Sequence, residues 1–170
     1  MASDRAASRR RGDRARSSPQ PRLFLLKFLL DTNAISETLK TRPDEGFLNW
    51  LDSVGSPEDL FDDRLHLSVL SIAEMRRGAL KLDPGRKRAL IEARIEGMIT
   101  DFKDRILRVD LSVSENWAVL AEAYRRQGVT VGLIDELIAA TALAYDLTLV
   151  TRNVRHFEHS GCRLLSPWSG

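Results

Sequence analysis

The sequence predicts a three-layer α/β/α sandwich around a central, mainly parallel sheet, and two patterns lead to this fold class. Short apolar segments alternate with helical patterns from residue 23 onward. The first segment, residues 23–30, is almost continuously apolar, which is typical of a strand buried on both faces of a parallel sheet. Strands that alternate with helices in this way form parallel sheets covered by helices on both sides.

The first half of the chain predicts two strands and the starts of three helices. Asn33 can cap a short helix, and Pro43 followed by Asp44 is a typical helix start. The apolar run over 65–70 predicts the second strand, and the next helix is expected from Ser71. Two of these helices follow a strand directly, which is the alternation that the fold class predicts.

The second half of the chain continues this alternation. A long charged helix begins at Pro84, and its inward face is predicted to consist of Leu90, Ile91, Ile95, Met98 and Ile99. Ser114 can cap a further helix that Gly128 ends, because glycine readily adopts the left-handed conformation found after helices. The remaining predicted elements are a strand over 106–109, an apolar helix over 133–145, and strands over 147–150 and 162–165.

The positive charge of the protein is concentrated at its N-terminus. Residues 1–22 hold seven arginines against two aspartates, whereas the whole chain has a net charge of only +2. The rest is therefore mildly acidic, which excludes a generally basic domain that coats nucleic acid. Because residues 1–22 have almost no large apolar side chain, we expect a disordered basic extension before one folded domain over 23–170. A charged arm that contacts nucleic-acid phosphates is the alternative.

Cysteine content and hydropathy predict a cytoplasmic protein. The single cysteine, Cys162, can form neither an internal disulfide nor a cysteine-based zinc site, which is usual in a reducing compartment. The sequence contains no apolar run of the roughly 18–20 residues that a membrane span needs, so no membrane association is expected.

Acidic residues stand where three predicted elements reach one edge of the sheet. Asp31 directly follows the first strand, Glu74 lies in the first turn after the second strand, and Asp135 lies near the start of the apolar helix. The polar residues 151–153 follow the fourth strand. Ligands of such folds gather beyond the carboxyl ends of the strands, and clustered carboxylates suit Mg²⁺ or Mn²⁺.

Each of these acids also has an ordinary structural explanation. Asp31 can cap the helix that follows it, and Ser71 with Glu74 has the spacing of a capping box. Asp135 is an acid in a first helical turn, where the helix dipole favours it. Individually these signals are weak. Their common placement at strand ends is what indicates a metal site.

Four segments together give the chain a family signature. They are FLLDTNAISE (28–37), LSVLSIAEMRRG (67–78), GLIDELIAATALAYDLTLVTRN (132–153) and LLSPW (164–168). In order and spacing they resemble the PIN-domain ribonucleases, and more narrowly the VapC toxins of type II toxin–antitoxin pairs. The resemblance covers residues 24–168 and leaves the basic extension outside it.

The resemblance implies a metal-dependent endoribonuclease that cleaves RNA phosphodiester bonds. It places the metal-binding catalytic acids of the family on Asp31, Glu74 and Asp135, and a supporting polar pair on Thr32 and Asn33. The implied cofactor is Mg²⁺ or Mn²⁺, which would activate water and stabilise charge on the phosphate. The implied partners are a cognate antitoxin, an RNA substrate and a second copy of the chain, within a larger toxin–antitoxin assembly.

The segment after the fourth strand departs from the family pattern. Many members have an acid at the position of Asn153 or three residues later, where this chain has His156. Asn153 is a further supporting residue, because it can hold a metal-bound water by a hydrogen bond. The arginines that follow the acidic motifs and could contact the RNA backbone are Arg76, Arg77, Arg152 and Arg155.

Other function classes fit the residues less well. A phosphotransferase of the haloacid dehalogenase type needs a second aspartate where Asn33 stands, and a receiver domain needs a lysine where Arg152 stands. One alternative stays open, a PIN fold with a weak metal site that serves mainly to bind an antitoxin and DNA. His156 favours this alternative, and the three retained acids oppose it.

Deletion of residues 1–22 is expected to leave the fold and the activity intact, because the segment has no apolar side chains that could anchor it. The melting temperature of the truncated protein should stay within about 4 °C of the full chain. A larger decrease would show that the extension packs on the domain. If the extension instead binds RNA by charge, truncation should reduce the salt dependence of RNA affinity.

Overall fold

Five short strands form one sheet at the centre of the protein. The computed structural model describes residues 26–54 and 64–169. The strands are β1 (Phe28–Leu30), β2 (Leu65–Ser68), β3 (Ile106–Leu107), β4 (Thr148–Val150) and β5 (Arg163–Leu165). Their order across the sheet is β3-β2-β1-β4-β5, and each neighbouring pair is parallel.

Helices cover both faces of this sheet. They are α1 (Thr32–Thr38), α2 (Glu45–Val54), α3 (Val69–Leu80), α4 (Arg86–Asp101), α5 (Leu111–Gln127), α6 (Leu133–Ala144) and α7 (Val154–Phe157), with a 3₁₀ turn over Lys103–Arg105. One apolar cluster lies under α1–α4 and a second lies under α5–α7. The predicted three-layer α/β/α sandwich is therefore confirmed. Among the described helices, none combines the length and hydropathy of a membrane-spanning segment.

The central strand β1 supplies side chains to both apolar clusters. Phe28 and Leu30 belong to the cluster under α1–α4, and Leu29 belongs to the cluster under α5–α7. Successive side chains of a strand point to opposite faces, so a strand covered on both faces must be apolar throughout. This explains why the sequence shows a continuous apolar run here and not an alternating one.

The chain reverses its order of strand addition between β1 and β4. After β1 it places β2 and β3 on one side, and β4 and β5 then follow on the other side. Such a reversal leaves a crevice at the carboxyl ends of the two strands, where ligands of parallel sheets usually bind. Leu30 pairs with Val150, so the next residues, Asp31 and Thr151, stand together at this crevice.

Two of the predicted helix caps lie inside their helices instead. Asp31 caps α1, whereas the sequence predicts Asn33, and Ser68 caps α3, whereas the sequence predicts a helix from Ser71. A cap residue needs an extended backbone, which Asp31 and Ser68 have because each stands at the end of a strand. The capping-box explanation of Glu74 is therefore wrong.

The structure also tests the predicted ends of α5 and the predicted inward face of α4. Asp110 caps α5, and Ser114, the predicted cap, lies inside that helix. Gly128 ends α5 with a left-handed φ of 67°, as predicted. Leu90, predicted on the inward face of α4, is 55% exposed. It lies five residues before the buried Ile95 and is therefore rotated about 140° away from it around the helix.

Leu29→Ala is expected to lower the free energy of unfolding by about 2–5 kcal/mol, because Leu29 is fully buried in the central strand. Val119→Ala is the matched control, since Val119 is 75% exposed on α5, and it should change stability by at most about 0.5 kcal/mol. Urea denaturation of both variants measures the difference. Equal stability of the two variants would contradict the central position of β1.

Candidate active site

Asp31 is the most deeply buried of the three predicted acids, with 3% of its surface exposed. Its Oδ1 accepts the backbone N–H of Ala34 at 2.7 Å, and its Oδ2 accepts the hydroxyl of Thr151 at 2.5 Å. Burial raises the pKa of Asp31 above its ordinary value, and the hydrogen bonds from Thr151 and Ala34 oppose this increase only in part. The ionised carboxylate is therefore costly to keep in this position without a nearby cation.

Thr151 lies at the edge of the sheet that the sequence indicates, but its contact with Asp31 is not among the predictions. Its hydroxyl donates to Asp31 and accepts the backbone N–H of Asn153 at 3.0 Å, so both its hydrogen and a lone pair are engaged. The side chain is fully buried. What the sequence lacks is the pairing of β4 with β1, which brings a hydroxyl directly after β4 to the same crevice as Asp31.

Glu74 is tied to the segment that follows β1. It lies on α3, is half-buried, and its Oε2 accepts the hydroxyl of Thr32 at 2.6 Å. Thr32 is the first residue of α1 and the neighbour of Asp31 in the chain. The predicted supporting residue Thr32 thus connects the acid on α3 to the buried acid at the end of β1.

Asp135 has a different partner from the other two acids. It lies in the first turn of α6 with 30% of its side chain exposed, and its Oδ2 accepts a hydrogen bond from Nδ1 of His156 at 2.9 Å. His156 belongs to α7, after β4. The residue that departs from the family pattern therefore contacts a predicted catalytic acid directly.

The remaining predicted residues surround these acids more loosely. Nδ2 of Asn33 lies 3.4 Å from Oδ2 of Asp31, and Asn153 is half-buried with its backbone N–H on the Thr151 hydroxyl. Arg76 forms an exposed ion pair with Glu96 of α4 at 2.7 Å. The other predicted RNA contacts are exposed side chains, namely Arg77, Arg152 and Arg155.

The donor chemistry of this region fits a hard divalent cation. Carboxylate oxygens are among the ligands that Mg²⁺ and Mn²⁺ prefer, and a cation would offset the cost of burying Asp31. Within residues 26–54 and 64–169, however, no three histidine, cysteine or acidic side chains are gathered closely enough to hold a metal ion. Each acid instead accepts a hydrogen bond from a separate side chain. Thr151 donates to Asp31, Thr32 to Glu74 and His156 to Asp135.

Asp31→Asn is expected to stabilise the metal-free protein at pH 7, because it removes a buried charge and its amide oxygen can still accept the Ala34 N–H. The folded-state pKa of Asp31 lies above the unfolded value. The wild type is therefore favoured at low pH and loses stability as the pH rises from about 3.9 through the folded-state pKa.

The increase in stability from Asp31→Asn should thus appear at pH 7 and vanish below about pH 3.9. Melting temperatures in the presence of EDTA at both pH values measure it. A variant that is less stable than the wild type at pH 7 would show that the hydrogen bonds to Asp31 outweigh the cost of its burial.

Known proteins similar to this chain share both its sequence and its fold. The PIN domain pattern matches residues 28–160. The VapC ribonuclease Y4jK of Sinorhizobium fredii is 34% identical over 141 residues, or 82% of this chain and 96% of the relative. The toxin FitB of Neisseria gonorrhoeae is 35% identical over 141 residues, or 82% of this chain and 97% of the relative.

The crystal structure of FitAcB from Neisseria gonorrhoeae superimposes with a TM-score of 0.74 and 33% identity, covering 84% of this chain and 99% of that chain. The segments over 28–37, 67–78 and 132–153 lie within the matched PIN region, and LLSPW (164–168) lies beyond its end. The resemblance stated from these segments is therefore confirmed, and the chain belongs to the PIN-domain family.

Proposed function

We propose that this protein is a metal-dependent endoribonuclease that acts as the toxin of a type II toxin–antitoxin system, cleaving RNA and so inhibiting translation and growth. Its PIN family membership and its similarity to a VapC ribonuclease and to the toxin FitB support this proposal. The observation that carries it is the buried carboxylate of Asp31 at the crevice between β1 and β4. A buried acid at a ligand-binding edge is costly to stability, and a role in binding a cation there would offset that cost beside its role as the cap of α1.

In this proposal Asp31, Glu74 and Asp135 together hold Mg²⁺ or Mn²⁺. When bound, the ion supplies the positive charge that activates water and stabilises the charge developing on the phosphate. Thr151 and Thr32 fix the orientations of two of the carboxylates through their hydroxyls, as residues behind metal ligands commonly do. The further supporting residues are Asn33 and Asn153.

The separate hydrogen bonds of the three acids agree with a site that closes on its ion. Asp135 is 30% exposed and bonded to an exposed imidazole, so its carboxylate can reorient at little cost. Asp31 is fixed by its burial and by Ala34 and Thr151. We therefore assign Asp31 as the rigid ligand and Asp135 as the adjustable ligand.

The substrate backbone is proposed to lie against the exposed arginines beside the acidic motifs. Arg77, Arg152 and Arg155 are exposed, and Arg76 needs only to exchange its surface ion pair with Glu96 for a phosphate. Exposed ion pairs of this kind contribute little to stability. These arginines would add a salt-dependent contribution to RNA affinity.

The proposed partners follow from the same family. A cognate antitoxin would bind the toxin and block its site, and a homodimer would be the unit from which larger toxin–antitoxin assemblies form. The structural similarity to FitAcB supports the antitoxin as a partner. We place the protein in the cytoplasm, where its RNA substrate and antitoxin are found.

One observation favours a second function, that of a catalytically weak PIN fold that mainly binds an antitoxin and DNA. His156 forms a hydrogen bond to Oδ2 of Asp135. The acids among the described residues are not close enough together to hold a metal ion as they stand. If the ion cannot displace this hydrogen bond, the chain would keep the fold and its partners without activity. Substitution of the acids separates the two functions.

Asp135→Ala should abolish growth inhibition when the protein is expressed without its antitoxin, because the site loses its adjustable ligand. The fold should survive, since loss of one of several like charges relieves repulsion. Glu136→Gln is the matched control, because Glu136 is the next residue in α6 and bonds Trp117 at 2.8 Å and not the site. Growth and total-RNA integrity are followed together under tightly controlled expression.

His156 provides a second arm of this experiment. His156→Ala should change activity only modestly, and His156→Asp should raise it by adding a carboxylate beside Asp135. A folded, soluble Asp135→Ala protein that is still fully toxic would rule out the metal nuclease. A harmless wild type that still binds its antitoxin would support the binding function instead.

A further inference from the structure

We infer that residues 166–169, here termed the C-terminal clasp, fix helix α1 and thereby position Asp31 and Thr32 in the proposed metal site. The inference rests on the proposed function. α1 has only seven residues, so its orientation depends on its contacts and not on its own helical stability. Both of its ends are held by the chain that follows β4.

The first contact of the clasp is with the last turn of α1. Nε1–H of Trp168 donates to Oε2 of Glu37 at 3.0 Å, and the indole stacks on Phe47 with ring centroids 5.0 Å apart. Glu37 is only 3% exposed and also accepts Lys40 Nζ at 2.7 Å and the backbone N–H of Asp44 at 3.0 Å. A buried carboxylate with three donors is a firm attachment point.

The second contact is with the start of α2. The backbone N–H of Ser169 donates to Oδ1 of Asp44 at 3.1 Å, and the N–H of Gly46 donates to Oγ of Ser169 at 3.0 Å. A Cβ at position 46 would lie 2.5 Å from Oγ of Ser169 and 2.8 Å from the carbonyl oxygen of Pro167. The clasp can therefore lie here only because residue 46 is glycine.

The other end of α1 is held by the same part of the chain. Just before the clasp, the carbonyl oxygen of Leu165 accepts the backbone N–H of Thr151 at 3.0 Å. The hydroxyl of Thr151 in turn donates to Asp31, the N-cap of α1. The strand that leads into the clasp thus fixes the first end of α1, and Trp168 fixes the last.

The position of α1 determines two of the three acids. Asp31 caps it, and its first residue, Thr32, donates to Glu74 at 2.6 Å. A small rotation of α1 would therefore move the buried carboxylate and release the acid on α3 at the same time. Trp168 and Gly46 are positioning residues in this account, because neither touches the proposed ion.

The test compares Trp168→Phe with Trp50→Phe in the full chain. The first substitution preserves an aromatic ring against Phe47 but removes the N–H that bonds Glu37. The second removes the other indole of the same cluster, which packs on Phe28 and Phe47 with centroids 5.4 Å and 5.8 Å apart. Gly46→Ala is a third variant that displaces the clasp without altering any of its side chains.

Two readouts are taken for each protein. Amide hydrogen exchange over residues 31–38 reports how firmly α1 is held, and isothermal titration with Mn²⁺ reports the arrangement of the acids. We expect Trp168→Phe and Gly46→Ala to accelerate exchange in α1 and to weaken Mn²⁺ binding about tenfold. Trp50→Phe should change neither the exchange in α1 nor the affinity for Mn²⁺. This should hold even if Trp50→Phe lowers the melting temperature as much as the clasp variants do.

Each result decides the inference. The inference is overturned if Trp168→Phe and Trp50→Phe change exchange and Mn²⁺ affinity equally. It is also overturned if Trp168→Phe and Gly46→Ala leave the Mn²⁺ affinity unchanged, because the clasp would then only stabilise the fold. If the wild type itself binds no Mn²⁺, the proposed metal site is wrong. Hydrogen exchange alone then tests whether the clasp fixes α1. Unchanged exchange over residues 31–38 in both clasp variants would overturn it in that case as well.

Discussion

The hydrogen bond from Thr151 to the buried carboxylate of Asp31 joins the two halves of the sheet at the point where strand order reverses. A buried carboxylate must be given partners, and this one takes a backbone N–H from the helix that it caps and a hydroxyl from the neighbouring strand. Capping and catalysis, which are alternatives for Asp31 in the sequence, are therefore compatible roles. The residue that starts α1 is also the residue proposed to bind the ion.

The three acids differ in how firmly the fold holds them. Asp31 is buried and fixed from two sides, Glu74 is half-buried and bonded once, and Asp135 is partly exposed beside an imidazole. This gradient follows from their places, since a residue at the end of the central strand is covered by both layers and a residue on a flanking helix is not. A site with one rigid and one adjustable ligand can bind an ion without a preformed cage.

The sequence was sufficient for the fold and for the places of Asp31 after β1 and Asp135 in the first turn of α6, because these follow from local patterns. Glu74 lies one turn further along its helix than expected, because α3 begins at Val69. A continuous apolar run ending in Asp31 identifies a central strand and its carboxyl end without any knowledge of neighbours. Helix caps were predicted less well, since Asn33, Ser71 and Ser114 are all competent caps and only the end of the preceding extended segment decides between candidates. Thr151 contacts Asp31 and Trp168 contacts Glu37, and these partners are 120 and 131 positions apart in the chain. Local sequence patterns cannot predict pairs at such a separation.

The sheet order also determines when the proposed site can assemble during synthesis of the chain. The central strand β1 is made early, but its partner β4 and the Thr151 that holds Asp31 are made 120 residues later. Chains are synthesised from the N-terminus and domains fold as units, so an unfinished chain on the ribosome lacks half of the crevice. A chain that has not yet been extended to Thr151 therefore lacks the hydroxyl that holds Asp31 and one side of the crevice in which Asp31 lies.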